Sequence, residues 1–278
     1  MTVDQDPDRA ARPERIDFII AGAQKAGTTA LARYLSQHPD IFIPVKKEFH
    51  WFKRPISFQG GIGDLPADRF HRHFEGALGR KICGEASPAY LYWPRAAQLI
   101  SEYRRDIKIV ISLRNPVLRA YSAWSMERRR GREPLGFLEA VTRGRARVAA
   151  AEGGVHAIYS YAERGFYSAQ IESLLKYFDR EQIFFLRADE IAAESPSLSR
   201  LTTFLGADPY KYRDISENLM PGSLPVEDLE ELESAFQILF ELYADDMSRL
   251  SELTGLDVSD WLAGPPKPPV GETDPAWG

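Results

Sequence analysis

The segment from Phe18 to Leu35 places the tightest limits on how this chain can fold. It reads Phe-Ile-Ile-Ala-Gly-Ala-Gln-Lys-Ala-Gly-Thr-Thr-Ala-Leu-Ala-Arg-Tyr-Leu: a buried strand, a glycine-containing turn and the start of a helix. Such a junction suits phosphate, because the turn's N–H groups and the positive end of the helix dipole converge on one point. Gly22 and Gly27 have the G-x-x-x-x-G spacing of a Walker A loop. The next two positions should then be Lys and Ser or Thr, but they are Thr28 and Thr29, and the lysine stands inside the loop as Lys25. A displaced lysine argues against an ordinary ATPase or GTPase. It favours a protein that binds a different phosphorylated nucleotide.

Three further strand candidates share the character of the first: Lys81–Gly84, Lys108–Leu113 and Ile183–Arg187, beside Phe18–Ala21. Each is short, apolar and bounded by polar or turn residues, as in a parallel sheet buried on both faces. Helical stretches alternate with them: Thr28–Gln37, Pro94–Tyr103, Pro116–Arg130, Tyr167–Phe178, Ser197–Leu205 and Val226–Leu253. Asn115 is a suitable cap for the third. The last carries an apolar stripe through Leu229, Leu232, Phe236, Leu239 and Leu242, read as core. The expected fold is α/β, a P-loop-type parallel sheet flanked by helices on both faces, in a single domain. Residues 1–14 are expected to be disordered, 15–263 to form the domain, and 264–278 to be an extended proline-rich tail.

Composition narrows the function classes. With 278 residues the chain can bury a sizeable core. A formal charge of −5 argues against a general nucleic-acid binder. The single cysteine, Cys83, excludes an intramolecular disulfide and a cysteine-rich metal site, and it reads as a small buried residue. The polar start lacks the apolar core of a signal peptide. No apolar run approaches the roughly 18 residues of a membrane span, so the expected location is the cytoplasm.

Candidate site residues follow from charge and position. Gln24, Lys25, Ala26, Gly27, Thr28 and Thr29 can supply backbone donors, two hydroxyls and an ammonium to a phosphate. The strand Ile109–Leu113 leads into Arg114-Asn-Pro, where a nucleotide hydrolase often has a magnesium-holding Asp. Arg114 brings positive charge instead, suited to a second phosphate, and Ser122 follows on the next helix. Arg119 is read as structural. In Lys46-Lys-Glu-Phe-His-Trp-Phe52, Glu48 and His50 alternate with Phe49 and Trp51. An extended backbone would put the acid and the imidazole on one face, where either can act as a general base.

Together these residues resemble the sulfotransferases that use 3′-phosphoadenosine 5′-phosphosulfate (PAPS), in the branch shared by heparan sulfate sulfotransferases and bacterial relatives. The resemblance runs from about Ile16 to Leu262. Gln24-Lys-Ala-Gly-Thr-Thr29 looks like the family's 5′-phosphosulfate loop, and Arg114 with Ser122 like its 3′-phosphate pair. Lys47-Glu-Phe-His50 resembles the K-E-x-H segment whose glutamate is the proposed base. Gly84-Glu-Ala-Ser-Pro-Ala-Tyr90 and Glu163-Arg-Gly-Phe-Tyr167 match two further segments in family order. The resemblance implies sulfuryl transfer from PAPS, leaving 3′-phosphoadenosine 5′-phosphate (PAP), to a hydroxyl or amine of a glycan, lipid or small molecule. Lys25, Glu48 and His50 are the implied catalytic residues, and no metal is needed. Departures stand at Lys53, often an acid, at Ala86, often a lysine, and at Asn218–Pro225, in place of a cofactor loop.

Acceptor-side signals are fewer. Trp51, Phe52, Tyr90, Tyr92 and Trp93 suit an aromatic acceptor pocket or the core equally. Two basic clusters, Arg128–Arg132 and Arg143–Arg147, read first as solvated helix ends and second as a surface for an anionic acceptor. The stretch Ala140–Tyr161 is a candidate lid. The alternative functions are a P-loop nucleotide-dependent kinase and a non-catalytic nucleotide-binding protein.

Overall fold

The computed structural model describes residues 15–46, 48–77, 79–215 and 228–268. The expectations for 1–14, for most of the tail and for the 218–225 segment therefore lie outside the described residues, as does Lys47. The described part of the tail, Pro265–Pro268, lines a surface cavity together with Glu233 and Phe236.

Among the described residues five parallel strands form one sheet: β1 (Phe18–Gly22), β2 (Ile41–Phe42), β3 (Ile82–Ala86), β4 (Lys108–Leu113) and β5 (Ile183–Arg187). Their order is β2-β3-β1-β4-β5. The helices in chain order are α1 (Thr28–Leu35), α2 (Ala67–His71), α3 (Ala96–Tyr103), α4 (Pro116–Arg129) and α5 (Phe137–Val141). Then follow α6 (Arg145–Ala149), α7 (Tyr167–Leu175), α8 (Pro196–Leu205), α9 (Leu229–Thr254) and α10 (Ser259–Leu262).

Strand periodicity explains why both faces are covered. In β1, Ile19 and Ala21 join one apolar cluster while Phe18 and Ile20 join another. In β4, Ile109, Ile111 and Leu113 side with the first and Val110 with the second. Helices α4, α7 and α9 pack on the first face through Ala120, Ile171 and Phe236, and α1 and α8 on the second through Leu31 and Leu201. Each fully buried Leu, Ile or Phe contributes about 1.5–3 kcal/mol. The expected doubly covered parallel sheet is the observed one.

Local signals set most boundaries. Asn115 caps α4 by accepting from Val117 N at 3.0 Å, and Ser195 and Asp228 cap α8 and α9 in the same way. Pro94 does not begin a helix, because Arg95 takes a left-handed φ of 61° and α3 starts after it. Strand β2 goes unrecognised in the sequence, since two residues carry no periodicity. Cys83 is buried in β3, as expected.

This topology fixes where a ligand can bind. Leaving β1, the chain turns toward β2 and β3; leaving β4, it turns toward β5. A crevice opens at such a switch, between the carboxyl ends of β1 and β4.

Candidate active site

The loop from Ala23 to Gly27 fills that crevice. Ala23 N donates to Ser112 O at 2.8 Å, and Ser112 Oγ donates to Ala26 O at 2.6 Å, so the end of β4 grips the loop at two points. Gly27 has a φ of 71°, and a Cβ there would meet Ile191 Cδ1 at 2.8 Å. Both facts call for glycine. Gly27 makes no side-chain cap to α1, whose first turn has no acidic residue. The helix therefore begins without a carboxylate of its own in front of its N–H groups. Thr28 is buried at this start and Thr29 is exposed.

The segment holding Glu48 and His50 is not extended, contrary to the sequence-based expectation. Glu48 has a φ of 60° and His50 a φ of 54°. Contacts from elsewhere impose this: Glu48 N donates to Ala86 O at 3.0 Å, and a turn returns Lys53 N to His50 O at 3.1 Å. The expected pairing survives by this different route. Glu48 Oε2 lies 3.9 Å from His50 Nε2. The aromatics between them support the segment, Phe49 stacking on His73 and Trp51 on Phe70.

Left-handed backbone at a residue other than glycine costs on the order of 1–3 kcal/mol and gathers at functional sites. Among the described residues four such positions occur: Lys25, Glu48, His50 and Arg95. Three of these four are the sequence-predicted catalytic residues.

Arg114 and Ser122 stand on either side of the start of α4. Arg114 is half-buried just before the cap of α4, and Ser122 is buried two turns along that helix, about 10 Å farther. Tyr167 pins the corner by donating to Arg114 O at 2.8 Å. Gly165 lets α9 approach, since a Cβ there would meet the Tyr243 ring at 2.5 Å. Arg119, read as structural, is fully buried and donates to the carbonyl of Tyr161, while its Nε and Nη1 have no hydrogen-bond partner among the described residues.

Electrostatics join these parts. The Lys25 ammonium is pushed down to about 8, by burial first and then by Arg129, Arg114 and Arg130, with Glu48 opposing. The loop lysine, the β4–α4 arginine, the end of α4 and the acid thus act on one another. Burial, then Lys53, holds the His50 imidazole below its ordinary range, which favours the neutral ring. Behind the site Glu85 is buried and pushed up to about 7 by desolvation. Ser87 Oγ donates to its Oε2 at 3.2 Å, while its Oε1 has no partner among the described residues.

The remaining candidates are held mainly by the body of the fold. Phe52 and Tyr90 are core. Trp93 donates to Arg54 O at 2.6 Å and carries the Lys53 ammonium 4.3 Å from its ring centroid. In the first basic cluster, Arg130 and Arg132 pair with buried Glu127. In the second, Arg147 pairs with buried Glu133, and Arg145 pairs with Glu163. These pairs also tie the candidate lid to the body of the fold.

Comparisons with known proteins give the family. The family model described as Sulfotransferase domain matches residues 15–220. The chain belongs to the sulfotransferase family. A sulfotransferase crystal structure from Alicyclobacillus acidocaldarius is 35% identical, with a TM-score of 0.72, covering 89% of this chain and 98% of that one. Mouse heparan sulfate glucosamine 3-O-sulfotransferase 3A1 is 29% identical over 189 residues, 68% of this chain and 45% of that protein. Human heparan sulfate glucosamine 3-O-sulfotransferase 3B1 is 30% identical over 189 residues, with the same coverage. The chain thus spans less than half the length of these curated relatives.

Two residues that act on the Lys25 loop escape sequence reasoning. Ser112 is a strand residue whose role depends on the loop it grips. Arg129 lies within a basic run that reads as a solvated helix end, and its distance from Lys25 in sequence hides their interaction.

Proposed function

We propose that the protein transfers a sulfuryl group from PAPS to a hydroxyl or amine of an acceptor. The observation that carries this reading is the left-handed backbone at Lys25, Glu48 and His50, three charged or titratable residues from two loops that meet at one crevice. The residues suit an anionic nucleotide. Lys25 is depressed by burial first and then by three arginines, against a single opposing acid, Glu48, so positive charge gathers at the free site. The start of α1 has no acidic residue in its first turn.

Bound PAPS would supply an activated sulfuryl group joined to its 5′-phosphate. Glu48 accepts the proton of the acceptor as the acceptor oxygen or nitrogen bonds to sulfur. The sulfur–oxygen bond to the 5′-phosphate breaks, and its electron pair stays on that phosphate, where Lys25 meets the growing charge. Neutral His50 orients Glu48 or shares the proton. Loop amides from Gln24 to Gly27, with Thr28 and Thr29, hold the 5′-phosphate. Arg114 and Ser122 hold the 3′-phosphate and select PAPS over ATP.

Calorimetry with PAP, AMP and ATP with magnesium tests this. Selective binding of PAP is expected, and Arg114→Ala should weaken PAP far more than AMP. Preference for ATP with magnesium overturns the reading in favour of a kinase.

A further inference from the structure

Beside Glu48 and His50 the chain encloses a cavity of about 340 Å³. Residues between Lys46 and His73 line it, all from the segments around α2. Stacked aromatic rings form part of its wall. Phe49 stacks on His73 with centroids 4.0 Å apart and planes at 15°, and Trp51 stacks on Phe70 at 5.1 Å and 19°. Its charge is lopsided. Lys46, Arg54 and Arg69 line the cavity against one acid, Glu48. His73 falls below its ordinary range, through burial first and then Lys46 and Arg69, so it adds a neutral wall in a positive field.

Two donors point to a missing ligand. Trp51 is only 7% exposed, and its Nε1–H has no partner among the described residues. The Nε of Arg54 is also buried without a partner, and its guanidinium lies 5.3 Å from the Trp51 ring centroid. Buried donors left in this way cost free energy that an acceptor oxygen would recover. Ligand pockets run from about 300 to 1,000 Å³. This one is at the small end and has room for one ring.

We propose that the cavity is an acceptor subsite for a single polar ring bearing an acidic substituent. The ring lies against Phe49 and Trp51. The oxyanion is met by Arg54, Arg69 and the indole N–H of Trp51, and a ring hydroxyl is left facing Glu48. This inference rests on the sulfotransferase reading.

The test is calorimetry with PAP at saturation and three probes: methyl glucoside, its 6-carboxylate and its 6-phosphate. One or both charged rings should bind about 10- to 100-fold more tightly than the neutral one, as charge-assisted hydrogen bonds allow. The better of the two identifies the acidic group. Arg54→Gln and Arg69→Gln should each reduce the preference. Trp51→Phe, which keeps a ring in the wall but removes the donor, should reduce it several-fold. Arg105→Gln, at an exposed arginine outside the cavity, should leave it intact. Equal binding of the three probes, or binding of none by protein that still binds PAP, overturns the inference and leaves the sulfotransferase reading standing. Failure to bind PAP overturns that reading itself.

Discussion

Tyr167 donates its hydroxyl hydrogen to the backbone carbonyl of Arg114 at 2.8 Å, joining positions 53 residues apart. The bond fixes the corner between β4 and α4 that carries Arg114. Tyr167→Phe removes the donor and leaves a carbonyl short of a partner, which should cost about 1–3 kcal/mol. Urea unfolding should show a loss of that size, and PAP should bind more weakly while AMP changes little. Unchanged stability and unchanged PAP affinity would free the corner from Tyr167.

Glu48→Gln keeps the shape of the side chain and removes its capacity to take a proton. A general base is worth roughly 100- to 10,000-fold in rate. Turnover should fall within that range while PAP affinity, read by calorimetry, stays level. A variant with full turnover would move the base elsewhere, with His50 the nearest candidate.

Lys25 gives the site a pH dependence of known sign. In the free protein its ammonium loses its proton around pH 8. A bound phosphate stabilises the charged form and raises that value, so binding takes up a proton as pH climbs above 8. PAP affinity should be full below pH 8 and decline above it, and Lys25→Ala should be weaker throughout and flat across this window. The same substitution should slow turnover by on the order of 100-fold or more. An affinity that rises with pH across the window would contradict the assignment.

Glu85 predicts a dependence in stability. Its folded value of about 7 stands above its ordinary 4.5, so the folded state holds the proton more tightly. Its contribution is most favourable below the ordinary value and diminishes as pH rises toward 7, then stays level. Glu85→Gln should gain on the native protein as pH rises from 5 to 8, measured by thermal unfolding. A constant difference across that range would mean Glu85 does not change protonation there.

Much of the sheet is legible in the residues alone. β4 and β5 fall where apolar runs place them, and the cap at Asn115 and the strand–turn–helix at Gly22–Thr28 follow from local chemistry. These features depend on neighbours a few positions away, so a linear reading suffices. The family resemblance also lies in short segments, and it named Lys25, Glu48, His50, Arg114 and Ser122 without knowledge of their spacing in three dimensions.

The tertiary structure alone decided how those residues meet. The backbone at Glu48 and His50 is left-handed because Ala86 of β3 accepts from Glu48 N, a contact no local pattern encodes. Burial first, and then Arg129, Arg114 and Arg130 at the two ends of α4, lowers the basicity of Lys25, whereas burial raises that of Glu85. The cavity beside Glu48 exists because α2 folds back over Phe49 and Trp51. Periodicity and capping act over a few residues of chain. Burial, charge coupling and cavity shape arise from segments that only folding brings together.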